Sequence, residues 1–206
     1  MLLMSNRVFK NYEYNQSELP IGVVRRNVPL IVNKYNKPNI TTVADFIPKN
    51  HQIIRSGVIV YSYNNYNNEY YFYMGQDQNS NDLTDFGGGC LKEHDPIESA
   101  LREFTEESKA VFGNYTKDQV NECIMAYTDS MLIIFIPLIV DYTQLKYNFN
   151  LSVPDNQHHN ELNDIIRLNK QEFIQAIYSD KYKLYIIVKQ FLQGMLLNNV
   201  DFFQKL

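Results

Sequence analysis

Cysteine is almost missing from this chain of 206 residues: Cys90 and Cys123 are its only two. Two thiols do not build the disulfide framework of a small secreted domain, so the expected setting is reducing and cytoplasmic. Long hydrophobic runs are missing too. The strongest, Met131 to Val140, is about half of the ~20 residues that a bilayer-spanning helix requires. The opening Met1-Leu2-Leu3-Met4-Ser5-Asn6-Arg7 has no extended apolar core, so neither a signal peptide nor a membrane partner is expected. There is no surplus of positive charge: the net value of −4 excludes a protein that coats nucleic acid along its whole length. No sequence repeat is present. Ser17, Ser130 and the two cysteines show no spacing to histidine and acid that suits nucleophilic catalysis.

At 45% hydrophobic, the chain is long enough for one sizeable core, most simply one domain with an extension. Its charge is uneven. Residues 1–55 hold eight Lys and Arg against three Asp and Glu, a net +5, which leaves −9 for the rest. Residues 1–50 are irregular, with Asn, Pro and charged residues between short apolar runs, and read as a basic N-terminal extension packed on a main domain of residues 51–206. A basic arm beside an acidic body suits a polyphosphate or RNA backbone. A surface that simply pairs with the acidic body is the plainer reading.

The densest chemistry lies between Gly87 and Glu107. A Gly87-Gly88-Gly89 turn leads into a helix whose start is marked by Asp95 as cap, Pro96 in the first position and Glu98 in the first turn. Ile97, Ala100, Leu101, Phe104, Val111 and Phe112 recur at helical spacing as an apolar stripe, so the helix is expected to run on to Phe112 before Gly113. Glu103, Glu106 and Glu107 lie three and four residues apart beside that stripe and share a side. Like charges so placed repel, and the simplest reason to keep them is a hard divalent cation, Mg²⁺ or Mn²⁺. Arg102, one residue before Glu103, is spaced to pair with Glu106 one turn on.

These residues resemble the Nudix box, in which a glycine is followed at a set distance by Arg-Glu-apolar-any-Glu-Glu. Gly88 takes the glycine, and Arg102-Glu103-Phe104-Thr105-Glu106-Glu107 takes the central run without a gap. The resemblance implies an α/β/α sandwich with a mixed β-sheet. It implies a hydrolase that uses Mg²⁺ or Mn²⁺ to cleave the diphosphate linkage of a nucleoside diphosphate derivative. Glu103, Glu106 and Glu107 would hold the metal, Arg102 would orient a glutamate, and Gly88 and Gly89 would shape the phosphate loop. The first box glutamate falls at His94, with Glu93 one residue early, and the late glycine of the pattern is Lys109. The basic arm, with Arg25 and Arg26, extends the list of substrates to capped RNA. The departures at His94 and Lys109 extend the list of functions to a nucleotide- or protein-binding module with little turnover. The resemblance also allows a homodimer.

Along the rest of the chain, Thr41 to Ile47 reads as a strand or short helix. Ile53 to Tyr63 and Glu69 to Gly75 read as a hairpin, and Leu83 to Phe86 as a short strand into the glycines. Glu122 to Thr128 and Ser130 to Asp141 read as strands, the second nearly all apolar and so central. Tyr142 to Asn160 reads as a loop, Glu161 to Leu168 as a strand or turn, and Gln171 to Tyr178 and Tyr182 to Leu197 as helices. Glu161 and Asp164 are candidate acids beyond the box. His158 and His159 are adjacent and read as surface loop. Tyrosines 61, 63, 66, 70, 71 and 73 read mainly as core and strand surface, with one or two near the cleft able to stack a base.

Overall fold

The computed structural model describes residues 37–47, 52–90, 94–152, 161–179 and 181–206. Arg25, Arg26, Glu93, His158 and His159 lie outside them. The strands are β1 (Asn39–Thr42), β2 (Arg55–Asn64), β3 (Glu69–Asp77), β4 (Leu83–Thr84), β5 (Phe86–Gly89), β6 (Ile124–Tyr127), β7 (Met131–Pro137) and β8 (Leu162–Asn169). The helices are α1 (Pro96–Glu107), α2 (Tyr142–Leu151), α3 (Lys170–Tyr178), α4 (Ile186–Asn198) and α5 (Phe202–Lys205), with a short 3₁₀ turn at Lys117–Val120.

One mixed sheet joins all eight strands in the order β1-β6-β7-β2-β3-β4, with β5 on β2 and β8 on β3. Parallel pairing of β2 with β7 puts two strands that are buried over most of their length at the centre, where alternate side chains supply both faces. Val58, Val60, Leu132 and Ile134 pack with Leu101 and Phe104 of α1 and with Leu145 and Phe149 of α2. Ile59, Ile133 and Phe135 pack with Phe173 of α3, with Val188 and Leu192 of α4 and with Phe202 of α5. Helices therefore cover both faces, and the expected α/β/α sandwich with a mixed sheet is the architecture found.

The sheet forks where the functional residues gather. The first half of β2, Arg55 to Val58, pairs with β5, whereas Val60 to Asn64 pairs with β3. The segment predicted as one short strand changes partner at Asp85: β4 pairs with β3, and β5 pairs with β2.

Five expectations need correction. The Gly87-Gly88-Gly89 stretch expected as a turn is part of β5 and pairs with Arg55 to Gly57 of β2, which holds it extended. Helix α1 ends at Glu107, not Phe112, because Lys109 and Ala110 take left-handed backbone angles, φ 53° and 56°. The Ala110 N–H donates to Thr105 O at 2.8 Å and the Lys109 N–H to Glu106 O at 3.1 Å, a Schellman ending with lysine in the usual glycine position. The stretch read as a loop from Tyr142 holds α2, capped by Asp141 on the N–H groups of Thr143 and Gln144 and buried only through Leu145 and Phe149. Two buried residues one turn apart leave too narrow a stripe to read as periodicity. The last long helix starts at Ile186, not Tyr182, because Lys183 and Tyr185 exchange backbone hydrogen bonds with Leu83 and hold that stretch extended. Finally, β1 lies within the stretch assigned to the extension and pairs with β6, so the sheet begins before residue 51.

Candidate active site

Helix α1 lies over β5 and the first half of β2. Asp95 caps it by accepting from the Ile97 N–H at 2.8 Å, and Lys117 pairs with the other oxygen of Asp95 at 2.6 Å. Burial of Asp95 favours its neutral form, but the Lys117 partner and the cap bond outweigh that and lower its pKa. The apolar side of α1 faces the sheet through Ile97, Ala100, Leu101 and Phe104, which turns Glu103 and Glu107 toward the glycine strand.

Glu107 is buried, only 8% exposed, and its Oε2 accepts from the Gly87 N–H at 2.6 Å. Burial pushes its pKa well above the usual carboxylate range. The nearby Asp85 and Glu103 carboxylates add to the rise, while the Gly87 N–H and Arg55 oppose it. The Glu103 carboxyl lies over Gly88, where a built Cβ would fall 2.6 Å from Glu103 Cδ, so a larger residue there would push this carboxylate out of its place. Arg102 donates to Glu106 Oε2 at 2.7 Å, as its spacing predicts, and also to Glu103 Oε1. The second bond goes beyond the expected pairing with Glu106: the arginine side chain is long enough to reach both carboxylates.

The box acids thus divide. Glu107 is held by the backbone of β5, and Glu103 and Glu106 are bridged by Arg102. Among the described residues, no three His, Cys, Asp or Glu side chains already converge on one point in a metal-binding arrangement. The donor chemistry nevertheless suits a hard divalent cation. All three groups are carboxylates, and Glu107 is buried with Asp85 and Glu103 close enough to disfavour its charge, a surplus that a cation would offset.

A cleft of about 570 Å³ opens at the fork. Gly87, Gly88, Gly89, Glu107, Glu161 and Leu162 contribute to its wall. Asp77, Ser80 and Asp82 of the β3–β4 connection line it too. Asp77 is engaged there in shaping the turn, accepting from the N–H groups of Asn79 and Ser80 and from Ser80 Oγ. The Ser80 N–H, acting with that hydroxyl and the Asn79 N–H against a smaller effect of burial, lowers the Asp77 pKa.

Of the two acids proposed beyond the box, Glu161 lies in the cleft, and Asp164 is instead paired with Lys146 at 2.8 Å. None of tyrosines 61, 63, 66, 70, 71 and 73 lines this cleft. Tyr61 and Tyr73 are core, and Tyr63 and Tyr66 are exposed elsewhere. The aromatic ring in the cleft wall is Tyr185, just before α4.

Sequence reasoning also missed Arg55 and Asp85. Arg55 lines the cleft and grips Asp85 with two hydrogen bonds, at 2.8 and 2.6 Å. Burial works against the arginine's charge, but Asp85 more than offsets this and its pKa is raised. An acid in the middle of Leu83-Thr84-Asp85-Phe86, a short strand of otherwise buried residues, is the signal that a cation must lie opposite. The partner stands 30 positions away, and strand pairing alone brings the two together.

A scan of protein-family models finds no match, and a search of curated proteins finds none. Among solved structures, the chain is similar to Nudix and MutT proteins. A C. elegans Ap4A hydrolase binary complex is 14% identical over 69% of this chain and 94% of that one, with a TM-score of 0.39. A MutT/nudix family protein from Enterococcus faecalis is 12% identical over 76% of this chain and 66% of that one, with a TM-score of 0.43. A mutT/nudix family protein from Listeria innocua is 10% identical over 75% and 98%, with a TM-score of 0.41. Among the described residues, no helix is long and apolar enough to cross a membrane.

Proposed function

We propose that this chain is a Nudix-type pyrophosphohydrolase, a divalent-metal-dependent hydrolase that cleaves the diphosphate linkage of a nucleoside diphosphate derivative. The observation that carries this reading is the placement of the Glu103 and Glu107 carboxylates against Gly87 and Gly88, with Glu107 and the glycines in the wall of a cleft large enough for a nucleotide. Glu103, Glu106 and Glu107 would hold Mg²⁺ or Mn²⁺. When bound, the cation screens the diphosphate and polarises its phosphoryl oxygens.

The chain's own residues do the remainder. The Gly87 N–H fixes Glu107 as a ligand for the cation, and a glutamate of the same cluster accepts the proton of the attacking water. Arg102 orients Glu103 and Glu106. Glycine at position 89, where nothing lies within 4 Å of a built Cβ, lets phosphate oxygens approach the backbone closely, and Tyr185 and Leu162 offer apolar surface to the rest of the substrate.

The test is incubation of the purified chain with Mg²⁺ or Mn²⁺ and a panel of nucleotide sugars, ADP-ribose, dinucleoside polyphosphates, nucleoside triphosphates and capped RNA. The Glu106→Gln, Glu107→Gln double variant runs beside it. Cleavage that needs the metal and is lost in the variant is expected. Absence of cleavage with every substrate would instead favour a binding module, the reading to which the exposed His94 before α1 lends support.

A further inference from the structure

The buried ion pair beneath the site has no part in the chemistry just described. Asp85 is wholly buried and Arg55 is 14% exposed. Besides its two bonds to Asp85, the Arg55 guanidinium donates to Gly87 O at 3.1 Å, and the N–H of that same Gly87 donates to Glu107. The space for this arrangement is reserved. A Cβ on Gly57, the residue paired with Gly87 across the strands, would run into the Asp85 carboxylate and lie 2.9 Å from Gly87 Cα. Removing two charges from water is expensive, and apolar side chains of similar volume often give equal or greater stability. Stability alone is therefore a poor reason for this pair, whereas its grip on Gly87 supplies a specific one.

We infer that Arg55 and Asp85 are positioning residues. They hold Gly87 by its carbonyl so that its N–H sets the Glu107 carboxylate, and through it the divalent-cation site, in the working orientation. This rests on the hydrolase reading above. The pair acts through Gly87, and its loss lowers cation affinity and turnover more than it changes substrate affinity.

The full chain is compared with Arg55→Met, Asp85→Leu and with Arg55→Lys, which keeps the charge but not the two-pronged geometry. Three quantities are read: thermal unfolding, binding of Mn²⁺ alone followed by its electron paramagnetic resonance signal, and kcat separately from KM. The double variant is expected to unfold at or above the wild-type temperature, to bind Mn²⁺ about 10–100-fold more weakly, and to lose kcat by a similar factor with KM little changed. A folded double variant with wild-type Mn²⁺ affinity and kcat overturns the inference. If the double variant does not fold, Arg55→Lys decides: weakened Mn²⁺ binding at an unchanged unfolding temperature supports the positioning role, and wild-type binding overturns it. A wild-type chain that binds no Mn²⁺ overturns the hydrolase reading and this inference with it, and that result is visible before any variant is compared.

Discussion

Glu107 concentrates the conflict between stability and function in one carboxylate. Its folded pKa is raised, first by burial and then by Asp85, so the unfolded chain gives up this proton at a lower pH than the folded chain does. The folded state therefore loses stability as pH climbs from the ordinary glutamate value toward the raised one, and above that window the whole penalty stands. Gln at this position keeps an oxygen for the Gly87 N–H and never ionises. Glu107→Gln should abolish hydrolysis while raising the unfolding temperature over that of the wild type, measured in EDTA, by an amount near zero at pH 4 that grows toward pH 8. A gain that is the same at both ends of that range would refute the account. The residue types were legible in the sequence because acids three and four apart must share a helix side. Which acid is buried was not, since Glu106 and Glu107 differ by one position and only the packing of α1 on β5 turns one to solvent and the other to Gly87.

At the scale of the element, α1 shows how a missing signal can mislead. A glycine ordinarily marks the end of such a helix, and Lys109 in its place reads as continuation. The helix stops anyway, and the chain carries Lys109 in a left-handed conformation that costs a side-chain-bearing residue about 1 kcal/mol. Its side chain offsets part of that by placing Nζ 4.1 Å from the centre of the Phe149 ring on α2. Lys109→Ala and Lys109→Gly both lose the Phe149 contact, but only glycine relieves the backbone. The glycine variant should therefore be more stable than the alanine variant by about 1 kcal/mol in chemical denaturation. Equal stability of the two would mean that the left-handed ending is not kept in solution. The contact also ties the end of the box helix to α2, an element that a polar, narrow-striped sequence did not announce.

Across the whole molecule the sheet separates two apolar layers, and the catalytic candidates belong to the α1 side and to the fork. On the other side the Phe173 ring stacks on Phe72 with centroids 4.1 Å apart and planes 14° from parallel. Phe173→Ala opens a cavity in that layer and should cost about 3–5 kcal/mol in denaturant unfolding. At temperatures where the variant stays folded, kcat and KM should remain close to wild type. A large change in kcat with unfolding unaffected would show that the two layers are coupled through the sheet.

The chain's own order of residues was enough to determine the central apolar strands, the α/β class and the run Gly88 to Glu107, because each rests on local periodicity or on spacing within a few turns. The tertiary structure alone decided the rest. The fork that splits β3 from β5 makes the cleft, the return of the chain brings Glu161 and Tyr185 into its wall, and the pairing of β2 with β5 sets Arg55 on Asp85. Those contacts join residues tens of positions apart, and no local preference encodes them: they follow from burying both faces of one sheet, which brings distant segments of the chain together at its fork.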